Sequence, residues 1–243
     1  MKTLDLVATG VNAALYAVFG YLTYLGIFAP LIGVVRFWPS VIIPAVFAII
    51  FGPLVGGLGA AIGIFISDML IHGNALLSLV AGVPSNFVAF FLVGHIGRRQ
   101  IGNRVVVASA MLGVLVGASS LWLYSIGRLD VATAGLFAAI CILSALATLI
   151  ISAVWPTRRS YGVASIVGLA VGSAMIGIGV WGFSKIFMLP SGETDLPFYA
   201  SIFWFIWTYA TEIPFLILLV PPIVKACYAA FPRFKPSADR RSS

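Results

Sequence analysis

The sequence predicts an all-α integral membrane protein, and three observations carry that prediction. Hydrophobic residues make up 61% of the 243 and charged ones 9%, with a mean hydropathy of +1.12. No water-soluble domain could carry that composition without aggregating. The apolar residues fall in runs, most of them near the ~20 residues needed to cross ~30 Å of hydrocarbon as a helix. The basic residues fall between the runs, on alternate sides.

Threading the runs gives about eight transmembrane helices. The first covers Leu4 to Phe28; the apolar run after Lys2 extends to Ile32, which exceeds a signal-peptide core, and it lacks a convincing cleavage site, so it reads as a retained span. The second, Ser40 to Phe51, is too short to cross alone. It meets the third, Pro53 to Ile71, at the turn dipeptide Gly52-Pro53, so the two predict a shallow or tilted hairpin whose irregular backbone must be covered by protein or face water. Val83 to Gly97, Val105 to Ile126, Val131 to Val154, Val163 to Leu189 and Tyr199 to Ala230 complete the set.

With a cytoplasmic N-terminus, Lys2, Arg98, Arg99, Arg104, Arg158, Arg159, Lys225, Arg233, Lys235, Arg240 and Arg241 all fall inside, and Arg36, Arg128 and Lys185 outside. A wrong number of spans would scramble this pattern from the error onward. Both termini are therefore expected in the cytoplasm of a multi-pass cell-membrane protein. Residues 1–231 form one transmembrane domain. Residues 232–243 form a basic tail with too little apolar surface to order itself, expected against anionic lipid headgroups.

Several function classes are excluded by absence of motif. No Gly-x-x-x-x-Gly-Lys-Ser/Thr phosphate loop, nucleophile elbow or zinc-protease helix occurs, and no segment between spans is long enough for a soluble domain. The chain is expected not to be an enzyme and to need no cofactor. Its charge of +7 follows the membrane rule, not nucleic-acid binding. Cys141 and Cys227 lie within helices without ligand spacing, as small core residues. His72 and His95 lack a second ligand at helical spacing and read as solvated or capping residues, not metal ligands.

Small residues repeat at intervals of four: Gly52, Gly56 and Ala60, then Gly59 and Gly63, and on the first span Ala13 and Ala17. Such faces let helices approach closely, either within the chain or against a partner. Charges inside a span cost at least ~2.5 kcal/mol on insertion scales and are seldom kept without a task. Asp68, Lys185 and Glu212 qualify, all nearer the outer face, with Pro214 freeing a carbonyl close to Glu212. Lys185 is a candidate ion-pair partner for Glu212. Asn74, Asn86, Trp122, Tyr124, Trp181, Trp204, Trp207 and Tyr209 gather at the same level, with Arg36 and Trp38 in the first outer loop. Aromatic walls with a few polar groups describe a small-molecule pocket; an interfacial aromatic belt is the alternative.

The stretch Ile43-Pro44-Ala45-Val46-Phe47-Ala48-Ile49-Ile50-Phe51-Gly52-Pro53-Leu54-Val55-Gly56-Gly57, followed by Asp68 and then by Gly82-Val83-Pro84-Ser85-Asn86-Phe87, resembles the substrate-binding S components of energy-coupling factor (ECF) vitamin transporters, the riboflavin-type branch most. Ala13 and Ala17 are similar to the Ala-x-x-x-Ala pair with which that family's first helix meets the coupling subunit. Glu212-Ile213-Pro214-Phe215 and the segment Trp181 to Pro190 are similar to its last two helices. The family has six helices, so Val105 to Val154 would be an inserted pair.

The resemblance implies a vitamin-like substrate held by Asp68, Asn74, Asn86, Trp181, Lys185, Trp204, Tyr209 and Glu212. It also implies a transmembrane coupling protein docked at Ala13 and Ala17, and partner ATPases. The residues alone leave open a self-sufficient carrier in which Asp68 or Glu212 takes up a proton or Na⁺.

Overall fold

The computed structural model describes residues 2–27, 31–32 and 35–234, with backbone only at Leu31 and Arg36. Lys235, Arg240 and Arg241 of the tail, and the side chain of Arg36, lie outside the described residues. Helices dominate: α1 (Thr3–Tyr24), α2 (Ile42–Phe51), α3 (Pro53–Ile71), α4 (Ala75–Leu77), α5 (Val83–Gly97), α6 (Asn103–Ser125), α7 (Val131–Val154), α8 (Arg159–Ser184) and α9 (Tyr199–Ala230). A short antiparallel pair, β1 (Leu31–Ile32) with β2 (Val35–Arg36), follows α1.

Among the described residues, seven helices are long and apolar enough to cross a membrane, one fewer than the threading expects. The difference lies in α2, whose 10 residues reach only ~15 Å. Val35 and Phe37 are buried at 1% and 5% exposure, so the strand re-enters the bundle before the tight turn Pro39–Val41 starts the helix. The exposed donor this creates is satisfied within protein: the Trp38 N–H donates to the Thr211 carbonyl of α9 at 3.2 Å.

Gly52 ends α2 with φ +117, a conformation open to glycine, and Pro53 opens α3 where a missing N–H costs nothing. A Cβ at Gly52 would also lie 2.7 Å from the Arg98 guanidinium. The turn therefore sits at the arginine end of the bundle. There Arg98, Arg99 and Arg159 with Tyr161 and Tyr228 line a cavity of about 340 Å³.

The small-residue faces of α3 are filled from within the chain. Gly56 meets Ala48 of α2, Gly57 meets Phe87 of α5, and Gly59 and Gly63 meet Asn12, Ala13 and Tyr16 of α1. The Asn12 amide donates to the carbonyls of Val55 (3.1 Å) and Gly56 (3.4 Å). This corrects the docking expectation for Ala13 and Ala17, each 4% exposed. Both lie on the buried α1 stripe with Asn12, Tyr16 and Gly20, so in this conformation neither offers a surface to another chain.

The expected span at Val83 begins earlier, at Ala75, where Asn74 caps α4 by accepting the Leu77 N–H at 2.9 Å. α4 runs into α5 through a wide π-helical turn, Ser78–Gly82. Pro84 has no N–H to give the Val80 carbonyl, and the helix relaxes by bonding the Val83 N–H back to Ser78.

α6 and α7 pack against each other and against α8 and α9, with Gly117 under Cys141 and Gly162 under Thr148. Asp130 caps α7 by accepting the Thr133 N–H at 2.9 Å. Hydrogen bonding by the Thr133 side chain, and next by that N–H, favours the ionised carboxylate and holds its pKa below the usual value. Its stabilising contribution is therefore present above the unfolded pKa and lost as pH falls through the folded one. Asp130→Ala is expected to lower Tm at neutral pH, with the gap to wild type closing in acid; a gap independent of pH would remove the charged cap from the account.

α8 ends at Ser184, earlier than the expected Leu189, which leaves Lys185 outside the helix. The following segment folds back over the end of the bundle. Asp195 N–H donates to the Ser184 carbonyl at 2.7 Å, Leu196 N–H to the Ser184 hydroxyl at 3.1 Å, and Leu189 is buried.

Candidate functional site

Trp204, Thr208 and Glu212 recur every four residues on α9, as do Ile64 and Asp68 on α3 with His72 at its C-cap, and Ile176 and Val180 on α8. Residues at that spacing share one helix face. These three faces converge at the end of the bundle opposite the arginines, around a cavity of about 480 Å³. Tyr16 and Trp38 add aromatic walls, the π-helical turn adds Ser78, Ala81 and Gly82, and Asn86 stands on the first turn of α5. Leu189, Pro190, Ser191 and Glu193 of the folded-back segment complete the lining.

The polar groups of the wall are held in place. The Tyr16 hydroxyl donates to Asn86 Oδ1 at 2.9 Å, and Asn86 Nδ2 donates to the Gly82 carbonyl at 2.9 Å. The Ser78 hydroxyl donates to Asp68 Oδ2 at 2.6 Å, while His72 Nε2 stands 3.7 Å from Asp68 Oδ1. A Cβ at Gly82 would come within 2.7 Å of Asp68 Oδ2, so that glycine makes room for the carboxylate. Tyr16 lies within electrostatic reach of both Asp68 and Glu212.

Glu212 differs from its neighbours. Among the described residues its carboxylate has no ion pair and no hydrogen bond. Below it the cavity tapers to a cleft of about 10 Å³ shared with Asn86 and Thr208, beside which the Ser173 hydroxyl is buried without a partner.

Of the residues singled out from sequence, the structure brings Asp68, Asn86, Trp204 and Glu212 together on this cavity, with Trp38 beside them. It places four others elsewhere. Tyr209 is fully buried on another face of α9, 3.4 Å from where a Gly113 Cβ would be. Trp181 packs edge-on against Phe198 at 5.4 Å. Asn74 caps its helix and lines a shallow neighbouring depression. Lys185 pairs with Asp195 and lies over the Trp181 ring, which corrects the expected pairing with Glu212.

Trp122 and Tyr124 are exposed at 44% and 48% on α6, as an interfacial belt would place them. Trp207 packs against Phe137 and Phe203. The α6–α7 pair contributes no residue to the cavity wall. Tyr16, His72, Ser78, Thr208 and Glu193 also line the cavity, and sequence reasoning passed over them as wall residues.

Comparison with known proteins found no matching family model, no similar curated protein and no similar solved structure.

Proposed function

We propose that this chain is the substrate-capture subunit of an ECF-type importer, which takes a small flat molecule from the outer face of the cell membrane. The observation that carries the reading is the 480 Å³ cavity, walled by Tyr16, Trp38 and Trp204 and bearing a few fixed polar groups, at the end of the bundle remote from Arg98, Arg99 and Arg159. Cavities of this size and chemistry suit small organic ligands. The arginine end belongs in the cytoplasm by the positive-inside bias, with both termini there, and the cavity then faces outward. The chain carries no nucleotide loop, so turnover falls to a coupling protein and ATPases on other polypeptides. Because Ala13 and Ala17 pack internally, the coupling protein must meet other exposed faces of the bundle.

A second reading is favoured by one observation, the unpaired Glu212 in the wall. A lone carboxylate at that depth suits a self-sufficient carrier coupled to protons or Na⁺. Affinity purification from the native host in mild detergent, with proteomics, separates the two. Recovery of a membrane coupling protein and ATPases is the expected result. A folded protein that purifies alone, and in liposomes accumulates its substrate when a proton or sodium gradient is imposed, would transfer the assignment to the carrier.

A further inference from the structure

The capture reading says nothing of the ligand's charge, but the cavity wall does. Three carboxylates line it, those of Asp68, Glu193 and Glu212, and no lysine or arginine is among the lining residues. His72 is the one basic side chain in the described wall. Its Nδ1 accepts the Asn74 N–H at 3.1 Å, and its Nε2 stands 3.7 Å from Asp68 Oδ1.

The other described cations at this end are committed elsewhere. Lys185 is paired with Asp195, and Arg128 lies over the Tyr199 ring at 4.4 Å. No described lysine or arginine therefore faces these carboxylates, in a wall whose other side chains are aromatic, aliphatic or neutral polar, with His72 beside Asp68. Field lines in such a low-dielectric cleft concentrate on whatever enters it.

We propose that the ligand is an organic cation with a flat apolar body, its positive charge set between Glu212 and Asp68 and its body against Trp38, Trp204 and Tyr16. The proposal rests on the capture reading of the same cavity. Aromatic faces attract cations as well as flat rings, so both parts of such a ligand find partners. A metal ion is the poorer occupant, because no group of three His, Cys, Asp or Glu side chains converges closely enough among the described residues.

The test uses the full chain in lipid nanodiscs and calorimetric titration with three ring-matched probes: benzyltrimethylammonium, benzyl alcohol and phenylacetate. The cation is expected to bind at least about tenfold more tightly than the neutral probe, an advantage lost in Asp68→Asn, Glu212→Gln protein. Equal or tighter binding of the neutral or anionic probe overturns the proposal, as does absence of cation binding at millimolar concentration. The capture reading is judged separately, by mass spectrometry of the small molecules released from protein purified out of native membranes. A bound neutral or anionic molecule keeps capture and sinks the cation; no bound molecule, with none of the probes binding, sinks both.

Discussion

Gly177→Val is expected to leave little folded protein. A Cβ at Gly177 would lie 2.1 Å from the Ser201 carbonyl oxygen and 3.2 Å from the Phe205 nitrogen. Both belong to the backbone of α9, so no side-chain rotation can relieve the overlap and α8 must back away from α9. Overpacking of a tight interface costs roughly 1–3 kcal/mol, and here the cost should reach or pass the top of that range because the obstacle is backbone. Gly182→Val serves as control, since a Cβ there meets nothing within 4 Å on the same helix. Thermal unfolding in detergent should show a large fall for the first and a small change for the second; equal shifts would mean the α8–α9 contact is looser than described. Any surviving Gly177→Val protein should also bind ligand poorly, because Ser201 lies one turn before Trp204.

Glu212→Gln should give the opposite profile, with ligand affinity lost and stability kept. The amide matches the carboxylate in shape, and no described partner is orphaned by removing the charge, so Tm of the empty protein should hold or rise. A hydrogen bond or ion pair to a charged group is worth about 1.5–3 kcal/mol, which predicts about a tenfold to hundredfold loss of affinity. Asp68→Asn should lose affinity similarly while still accepting the Ser78 hydroxyl. A functional carboxylate held at a cost in stability is the expected form of such a trade-off. Unchanged affinity for native ligand in Glu212→Gln protein would remove that residue from the site.

Much of this site was open to helical arithmetic. Asp68, Asn86, Trp204 and Glu212 stand out as polar and aromatic residues near the outer ends of spans. Spacing alone could not set Tyr209 and Trp181 aside: they stand three residues before Glu212 and four before Lys185, intervals that share a helix face, and only packing against Gly113 and Phe198 turns them from the cavity. Asn74 and Lys185 were misplaced for another reason: helix ends are set by capping and by the return of the next loop, which hydropathy does not register. Tyr16 gives no local signal: it lies among the small residues Ala13 and Ala17 on a face that also packs inward, with Gly63 of α3 against Ala13 and Tyr16. Glu193 reaches the cavity through the fold-back after Ser184, a long-range arrangement with no local signal. The π-helical turn did leave a signal, in Pro84, whose missing donor falls opposite Val80.

The broken passage before α3 bears on how the protein is made. A helix of 10 residues cannot partition into lipid by itself, since about 20 are needed, and α2 has most of its residues covered by neighbouring helices. It must therefore wait outside the bilayer during synthesis and enter as a passenger of α3, its flank joined through the Gly52-Pro53 turn. Chains released before α3 has emerged are expected to hold α1 as a span and leave α2 outside the lipid. The orientation of everything downstream is thus decided by a hairpin and not by consecutive insertion of independent spans.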